Sequence, residues 1–187
     1  MNGAENCPAV PAGPFTPGDA GPFTPGDGDG LFAILGDRET MRDSFPMTRG
    51  EGDDFLENSL LRREPPVGYA LEERGSRGLA GYILFCPLKE LGAYGLGWFL
   101  RRDLWGRGYA YDISQALLDY AFAALGLRRV EGETIILSGR AGCWSSWAWS
   151  GWGKTGQQIC RGHPAALYQY TITAEQWREQ VDGRLDG

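Results

Sequence analysis

The sequence is poor in the residues that build metal sites and disulfide frameworks. Its 187 residues include one histidine and four cysteines, and the cysteines are far apart with no Cys-x-x-Cys spacing. We therefore predict free thiols and no metal site. A run of about 18 apolar residues, which a membrane span needs, is also absent, as are the basic and apolar regions of a signal peptide. These absences predict a cytoplasmic protein with no membrane contact.

Basic residues are few as well. Lysine and arginine together number 18 against 24 aspartate and glutamate residues, so the net charge is -6 and the pI is near 4.9. Broad nucleic-acid contact needs many cations on one face, and this composition excludes that class of partner. A chain of this length with 42% hydrophobic residues is predicted to form one globular domain.

Positive charge is nevertheless concentrated at one glycine-containing turn. An apolar strand at residues 94–100 is followed by a loop with Gly106 and Gly108, and an amphipathic helix follows at residues 111–125. Several backbone N–H groups and the positive end of the helix would converge there, which favours an anion. The arginines around the turn are Arg101, Arg102 and Arg107. A phosphate group is the predicted ligand.

Two common phosphate loops do not fit this turn. A dinucleotide-binding turn needs a third glycine where Tyr111 stands, and a Walker loop needs a lysine followed by serine or threonine. The segment Asp103-Leu104-Trp105-Gly106-Arg107-Gly108 instead resembles motif A of the GNAT acyl-CoA N-acetyltransferases, Arg/Gln-x-x-Gly-x-Gly/Ala, with aspartate in the first position. Residues 105–110 and 117–122 are most similar to the branch that contains the ribosomal-protein N-terminal acetyltransferases.

The resemblance implies a fold, a co-substrate and a reaction. The implied fold is an α+β, three-layer structure in which helices flank a mixed, mostly antiparallel sheet whose parallel strands four and five are splayed. Acetyl-CoA would donate its acetyl group to a primary amine, either a protein N-terminus or a small amine. The protein would be a monomer or a homodimer.

The resemblance also gives roles to individual residues. Backbone groups of Phe99 and Leu100 would pair with the pantetheine arm, and Glu133 would be the base that deprotonates the amine. The N–H groups that hold the pyrophosphate would be those of Trp105, Gly106, Arg107, Gly108, Tyr109 and Ala110. Tyr94 and Tyr109 are interpreted as packing residues.

The remaining pattern predicts an acetyltransferase domain at residues 31–182 after an irregular segment at residues 1–30. Residues 13–28 contain an octapeptide in tandem. The resemblance implies a first strand that runs directly into such a unit, and because no apolar run precedes it, this strand is expected to be short, displaced or absent. Helices are predicted at residues 31–35 and 54–63, and strands at residues 67–73, 79–87, 94–100, 128–134 and 166–173. The resemblance also implies a terminal helix from residue 173.

Residues 135–161 are atypical, because tryptophans lie among Ser and Gly there with neither a helical nor a strand pattern. Reading the message with the last base of each preceding codon would convert every Trp and Cys codon into one for Leu, Met or Val. Residues 143–154 would then read as an amphipathic helix followed by a strand, which is what the family has there. We interpret the segment as frame-shifted. An exposed aromatic patch for base stacking or sugar binding is the alternative.

Two other functions stay open at this point. A non-catalytic CoA-binding or partner-binding module would keep the glycine turn but lack the acid and the base. A nucleotide-binding P-loop is the second, because residues 148–155 satisfy the pattern Ala/Gly-x-x-x-x-Gly-Lys-Ser/Thr.

Overall fold

The computed structural model describes residues 20–42, 44–72, 78–136, 151–160 and 163–185. Within these residues, seven strands form one sheet: β1 (Ala20–Pro22), β2 (Gly68–Glu72), β3 (Leu79–Pro87), β4 (Ala93–Leu100), β5 (Arg129–Ile136), β6 (Gly151–Cys160) and β7 (His163–Thr173). The helices are α1 (Gly28–Leu35), α2 (Arg49–Phe55), α3 (Tyr109–Asp119) and α4 (Ala174–Leu185). π-Helical segments at Leu56–Leu61 and Tyr120–Ala124 extend α2 and α3.

The sheet is mixed, with its parallel pair at the centre. The strand order is β1-β2-β3-β4-β5-β7-β6, and among the described strands β4 and β5 alone run parallel. Helix α3 crosses between these two strands, and a helical crossover is the usual connection between parallel neighbours. The structure therefore confirms the predicted α+β fold, a mostly antiparallel sheet flanked by helices.

The sheet separates two hydrophobic cores. On β4, the side chains of Tyr94, Leu96, Trp98 and Leu100 belong to the core beneath α3 and α4, and Phe99 belongs to the core beneath α1 and α2. Because side chains alternate along a strand, Gly95 and Gly97 lie on the same face as Phe99. The central residues of the first core include Ile83, Ile113, Leu117, Val130, Tyr170 and Ile172, and those of the second include Leu31, Ile34, Leu35, Ala70 and Tyr82.

The second copy of the octapeptide forms the start of the described part of the fold. Strand β1 has three residues and leads directly into Phe23, whose side chain is buried. The backbone N–H and the hydroxyl of Thr24 both donate to Asp27 Oδ2, at 2.7 and 2.9 Å, and this turn precedes α1. The first strand is therefore short. Residues 13–19 of the first copy lie outside the described residues.

Helix α2 begins earlier than the hydrophobic pattern predicts, at Arg49 instead of residue 54. The cause is a capping box: the Thr48 N–H donates to Glu51 Oε2 at 2.7 Å, and the Glu51 N–H donates to Thr48 Oγ1 at 3.4 Å. The residues from Arg49 to Asp53 carry no apolar side chain, so the periodicity could not reveal this first turn.

The P-loop interpretation of residues 148–155 is wrong for residues 151–155, the part of the motif that the structure describes. Lys154 pairs in register with Tyr168 inside the β6–β7 ladder, and residues 151–160 continue as a strand. A P-loop lysine lies where a helix begins, and no such helix starts there in the described part of the chain. The frame-shift interpretation falls mostly on residues 137–150, which lie outside the described residues.

Candidate functional site

Strands β4 and β5 part halfway along their length. Their parallel pairing runs from Ala93 opposite Arg129 to Leu96 opposite Gly132 and then stops. Beyond that point β5 stays paired with β7 as far as Ile136, and β4 stays paired with β3 as far as Leu100. A gap therefore opens along one edge of residues 97–100. Such a gap can accept an extended ligand as an added strand.

Backbone directions on β4 identify which residues face this gap. The Arg101 N–H donates to Ala80 O at 2.9 Å, and Ala93 O accepts from the Leu88 N–H at 2.9 Å, so the odd-numbered residues of β4 face the β3 side. Trp98 and Leu100 consequently direct their backbone groups toward the gap. Phe99, which the sequence assigned to the pantetheine arm together with Leu100, directs its backbone toward β3.

The glycine turn lies at the end of this open edge. Gly106 and Gly108 have φ values of +71° and +84°, a left-handed conformation that an L-residue adopts only with strain. A Cβ added at either position would meet nothing within 4 Å, so the backbone there is accessible to a ligand. Gly108 is the N-cap of α3 and supplies no side-chain cap. The amides at the start of this helix have no intrahelical acceptor.

Not every amide of the turn is directed outward. The Trp105 N–H donates to Arg102 O at 3.1 Å and closes a short 3₁₀ turn. Among the described residues, no backbone carbonyl accepts from the N–H groups of Gly106, Arg107 or Gly108. The indole N–H of Trp105 donates to Leu100 O at 3.0 Å, which ties the turn to the last residue of β4.

Carboxylates reduce the positive charge that the sequence places around the turn. Arg101 holds Asp103 through two hydrogen bonds of 2.6 and 2.9 Å, and this pairing lowers the pKa of Asp103. Hydrogen bonds from Thr40 lower the pKa of Asp37, and the nearby positive charge of Arg102 contributes more weakly. The three arginines therefore do not all point their charge at the anion position.

One cation that the sequence did not suggest lies close to the turn. The guanidinium carbon of Arg42, in the connection between α1 and α2, is 5.9 Å from the ring centroid of Trp105. Arg42 also pairs with Glu39 at 3.0 Å. No local pattern could have found this contact, because it joins residues about sixty positions apart in the chain.

A cleft of about 300 Å³ lies at the parted strands, on the face of the sheet that is covered by α1 and α2. Its apolar lining comes from Leu84, Cys86, Leu88, Gly95, Leu96 and Gly97, and its polar lining from Glu131, Glu133 and Gln169. Glu133, the base candidate, is exposed and stands one residue beyond the last β4–β5 pair. The Glu133 carboxylate makes no hydrogen bond or ion pair with the described residues, while its backbone belongs to the β5–β7 ladder. The cleft thus joins Glu133 to the point where the strands separate.

The second carboxylate in the cleft is already engaged. Glu131 Oε2 accepts from Gln169 Nε2 at 2.7 Å, and Glu131 Oε1 lies 2.8 Å from Arg129 Nε. Arg129 is shared with Glu90, whose Oε2 is 2.7 Å from its Nη2. Glu131 and Gln169 were not predicted from the sequence, since only the β5–β7 register brings them together.

The tyrosines near the site pack against apolar side chains. The Tyr94 ring centroid is 4.8 Å from that of Phe85, and both Tyr94 and Tyr109 pack against the core beneath α3 and α4. The described residues contain no group of three or more His, Cys, Asp or Glu side chains suited to a metal ion. No helix among them is long and apolar enough to span a bilayer.

Comparison with known proteins identifies the class that this fold and site define. Residues 21–136, more than half of the chain, match the acetyltransferase (GNAT) domain. The chain belongs to the GNAT acetyltransferase family. It is also 40% identical over 45 residues to the uncharacterized N-acetyltransferase p20 of Bacillus licheniformis. That match covers 24% of this chain and a quarter (25%) of the relative.

Solved structures of GNAT enzymes share the fold. A GNAT-family acetyltransferase from Bacillus anthracis superposes with a TM-score of 0.69 at 18% identity, covering 83% of this chain and 94% of that one. Spermidine N-acetyltransferase from Vibrio cholerae, in complex with CoA and spermine, superposes with a TM-score of 0.63 at 14% identity, covering 84% of this chain and 96% of that one. Ribosomal-protein-S5-alanine acetyltransferase from Vibrio fischeri superposes with a TM-score of 0.63 at 13% identity, covering 84% of this chain and 93% of that one. At these identities the likeness shows the fold alone.

Proposed function

We propose that this chain is an N-acetyltransferase that moves an acetyl group from acetyl-CoA to a primary amine. The observation that carries the proposal is the parting of β4 and β5 after Leu96 and Gly132, with the glycine turn at one end and Glu133 at the other. This arrangement offers a strand edge for a pantetheine arm, outward amides for a diphosphate and a carboxylate for the amine. Membership of the GNAT family supports the same assignment.

The backbone geometry favours a specific set of contacts with the co-substrate. Trp98 and the N–H of Leu100 would face the pantetheine arm, in place of Phe99 and Leu100, because these backbone groups point into the gap, whereas Leu100 O already accepts from the Trp105 indole. The amides from Gly106 to Ala110 would hold the diphosphate at the start of α3. The Trp105 amide is left out of this set since it closes the 3₁₀ turn.

Glu133 would act on the amine at the mouth of the cleft. A protonated amine docks against the carboxylate and gives it a proton, and the neutral nitrogen then attacks the acetyl carbonyl carbon. A C–N bond forms while the C–S bond breaks, so the sulfur leaves with the bonding electron pair as a thiolate. The nitrogen then loses its second proton and the thiolate gains one, which leaves an amide, free CoA thiol and a protonated Glu133. General-base catalysis of this kind contributes about 10²–10⁴ in rate.

The identity of the acceptor is a separate proposal. The Vibrio cholerae neighbour was solved with spermine, and the Vibrio fischeri neighbour acts on an alanine of a ribosomal protein. A small amine and a protein N-terminus are therefore both candidate acceptors. The ribosomal-protein branch is supported by the sequence at residues 105–110 and by the fold of one such neighbour.

The proposed function is tested by acetyl transfer from acetyl-CoA to a panel of amines, followed by mass spectrometry of the products. We expect Glu133→Gln to lower kcat by about 10²-fold or more, because the variant cannot take the proton. Glu179→Gln, which changes an exposed glutamate on α4, is the matched control and should keep full activity. Coenzyme binding without turnover of any amine would favour the non-catalytic module.

A further inference from the structure

The cleft beside Glu133 is lined by two carboxylates and by an apolar floor that contains two glycines. We propose that the acceptor of this chain is a primary amine that carries a single positive charge on a slender, unbranched apolar body. This inference rests on the proposed function and narrows its substrate class. It follows from the available carboxylates, from the glycines on the cleft floor and from the charge at the cleft rim.

The first argument is the number of carboxylates that can receive an ammonium group. Glu131 and Glu133 are the acidic side chains that line the cleft within the described residues. Glu131 Oε2 accepts a hydrogen bond from Gln169, Glu131 Oε1 lies 2.8 Å from Arg129 Nε in an ion pair without hydrogen-bond geometry, and the Glu131 side chain is 18% exposed. Glu133 is exposed and makes no such contact. One ammonium therefore finds a carboxylate, and a second would have to displace Arg129 or remain unpaired.

The second argument is the shape of the floor. Gly95 and Gly97 are on the cleft face of β4, where any side chain would fill the space between Leu84 and Leu88. A Cβ at Gly97 would have Leu84 Cβ as its nearest neighbour at 3.9 Å, and one at Gly95 would meet Leu88 Cδ2 at 3.4 Å. The floor is thus apolar, and its space is open because two neighbouring positions on this face of β4 carry no side chain. Burial of apolar surface there would stabilise the body of the acceptor.

The third argument is the charge at the rim. Burial raises the pKa of the Cys86 thiol in the cleft wall, and the positive charge of Arg63 opposes that shift. A second ammonium beside Cys86 would be repelled by the same positive charge. An apolar end would meet Leu84 and Leu88 instead. The charge at the rim therefore disfavours an acceptor with a second ammonium group and tolerates one with an apolar end.

The test compares two amines of the same five-carbon chain, n-pentylamine and the diamine cadaverine, by calorimetric titration into the full chain. Titrations are run with and without saturating CoA, and acetylation rates are measured in parallel. We expect n-pentylamine to bind at least about tenfold more tightly than cadaverine, which corresponds to about 1.4 kcal/mol. Equal binding, tighter binding of cadaverine, or no binding of either amine would overturn the inference.

Two variants separate the cleft from general effects on the fold. Gly97→Val places a branched side chain on the cleft floor and should abolish n-pentylamine binding with little change in thermal unfolding. Gly21→Val makes the same change in β1, where an added Cβ meets nothing within 4 Å, and should leave amine binding intact. Unchanged n-pentylamine binding in Gly97→Val would place the amine elsewhere. If CoA fails to bind, the proposed function falls, yet the titrations without CoA still report the amine preference.

Discussion

At the scale of the residue, the glycine turn that we propose as the coenzyme site depends on glycines that hold a left-handed backbone. Gly108 has φ of +84° at the start of α3, with open space where a Cβ would be. In Gly108→Ala, strain of about 1–2 kcal/mol adds to a methyl group that projects toward the phosphate position. We expect the Kd for CoA to rise at least about tenfold, as measured by calorimetric titration.

Gly126 provides the matched control for that substitution. It has φ of +62° at the end of the α3 segment, and an added Cβ there also meets nothing within 4 Å. Gly126→Ala should therefore lower the melting temperature about as much as Gly108→Ala but leave CoA affinity unchanged. Equal losses of affinity in both variants would show that strain, and not the turn, controls binding.

Asp103, in the glycine turn, is expected to make the stability of the fold depend on pH. Its pKa is lowered by hydrogen bonds from Arg101, so the carboxylate stabilises the fold at pH values above the ordinary aspartate pKa of about 4. That stabilisation is lost as the pH falls below about 4 toward the lowered pKa. The side chains of Arg101 and Asp103 are 33% and 54% exposed, and exposed ion pairs contribute little. We therefore expect Asp103→Asn to lower the free energy of unfolding by about 0.2–1 kcal/mol at neutral pH.

The measurement is the free energy of unfolding of the protein and of Asp103→Asn between acid and neutral pH. The difference should be largest near neutrality and should shrink as the medium is acidified. Asp182→Asn, at an exposed position on α4, is the control and should show no such trend. A difference that grows on acidification would contradict the assigned pairing.

At the scale of the element, α1 packs closely against β3. A Cβ at Gly30 would lie 2.6 Å from Leu79 Cβ, which is too close for van der Waals contact and cannot be relieved by a side-chain rotation. We expect Gly30→Ala to destabilise the protein by about 1–3 kcal/mol in thermal unfolding. Gly50→Ala in α2 meets nothing within 4 Å and should stabilise by about 0.5–1 kcal/mol. A change in stability of the same sign in Gly30→Ala and Gly50→Ala would contradict the close packing of α1 against β3.

Element boundaries could be predicted where an apolar run or a glycine turn marks them, and could not be predicted where a side-chain cap sets them. The bounds of β3 agree with the prediction because apolar residues continue from Leu79 to Pro87. Helix α3 begins at Tyr109, close to the predicted residue 111, and the turn before it is marked by Gly106 and Gly108. The first turn of α2 was missed, since it depends on a side-chain cap at Thr48.

At the scale of the whole molecule, the parting of the strands could not be predicted from local pattern. Residues 133–136 continue as a regular strand, and β7 pairs with them just as it pairs with residues 129–132, so no local feature of β5 marks the point where β4 leaves it. The resemblance implied this feature, whereas the residues alone did not. The same long-range register places Gln169 beside Glu131 and leaves Glu133 exposed in the cleft.

The atypical segment remains a prediction at this scale. The family match ends at residue 136, next to the start of the segment at residue 135 that the tryptophan pattern defines. The two compensating frame changes lie either in the gene or in its sequencing. If they arose in sequencing, we expect the intact mass of the natural protein to differ from that of the printed chain, and renewed sequencing of the gene gives an independent check. A mass equal to that of this sequence would exclude the sequencing origin and leave only frame changes carried by the gene.

The most direct measurement is a calorimetric titration of the full chain with CoA and, separately, with pantetheine, which lacks the diphosphate. If the edge of β4 and the amides before α3 form the coenzyme site, CoA binds in a single stoichiometric step and pantetheine binds at least about a hundredfold more weakly. The absence of CoA binding, or equal affinity for the two compounds, would contradict the assignment of this turn to the diphosphate.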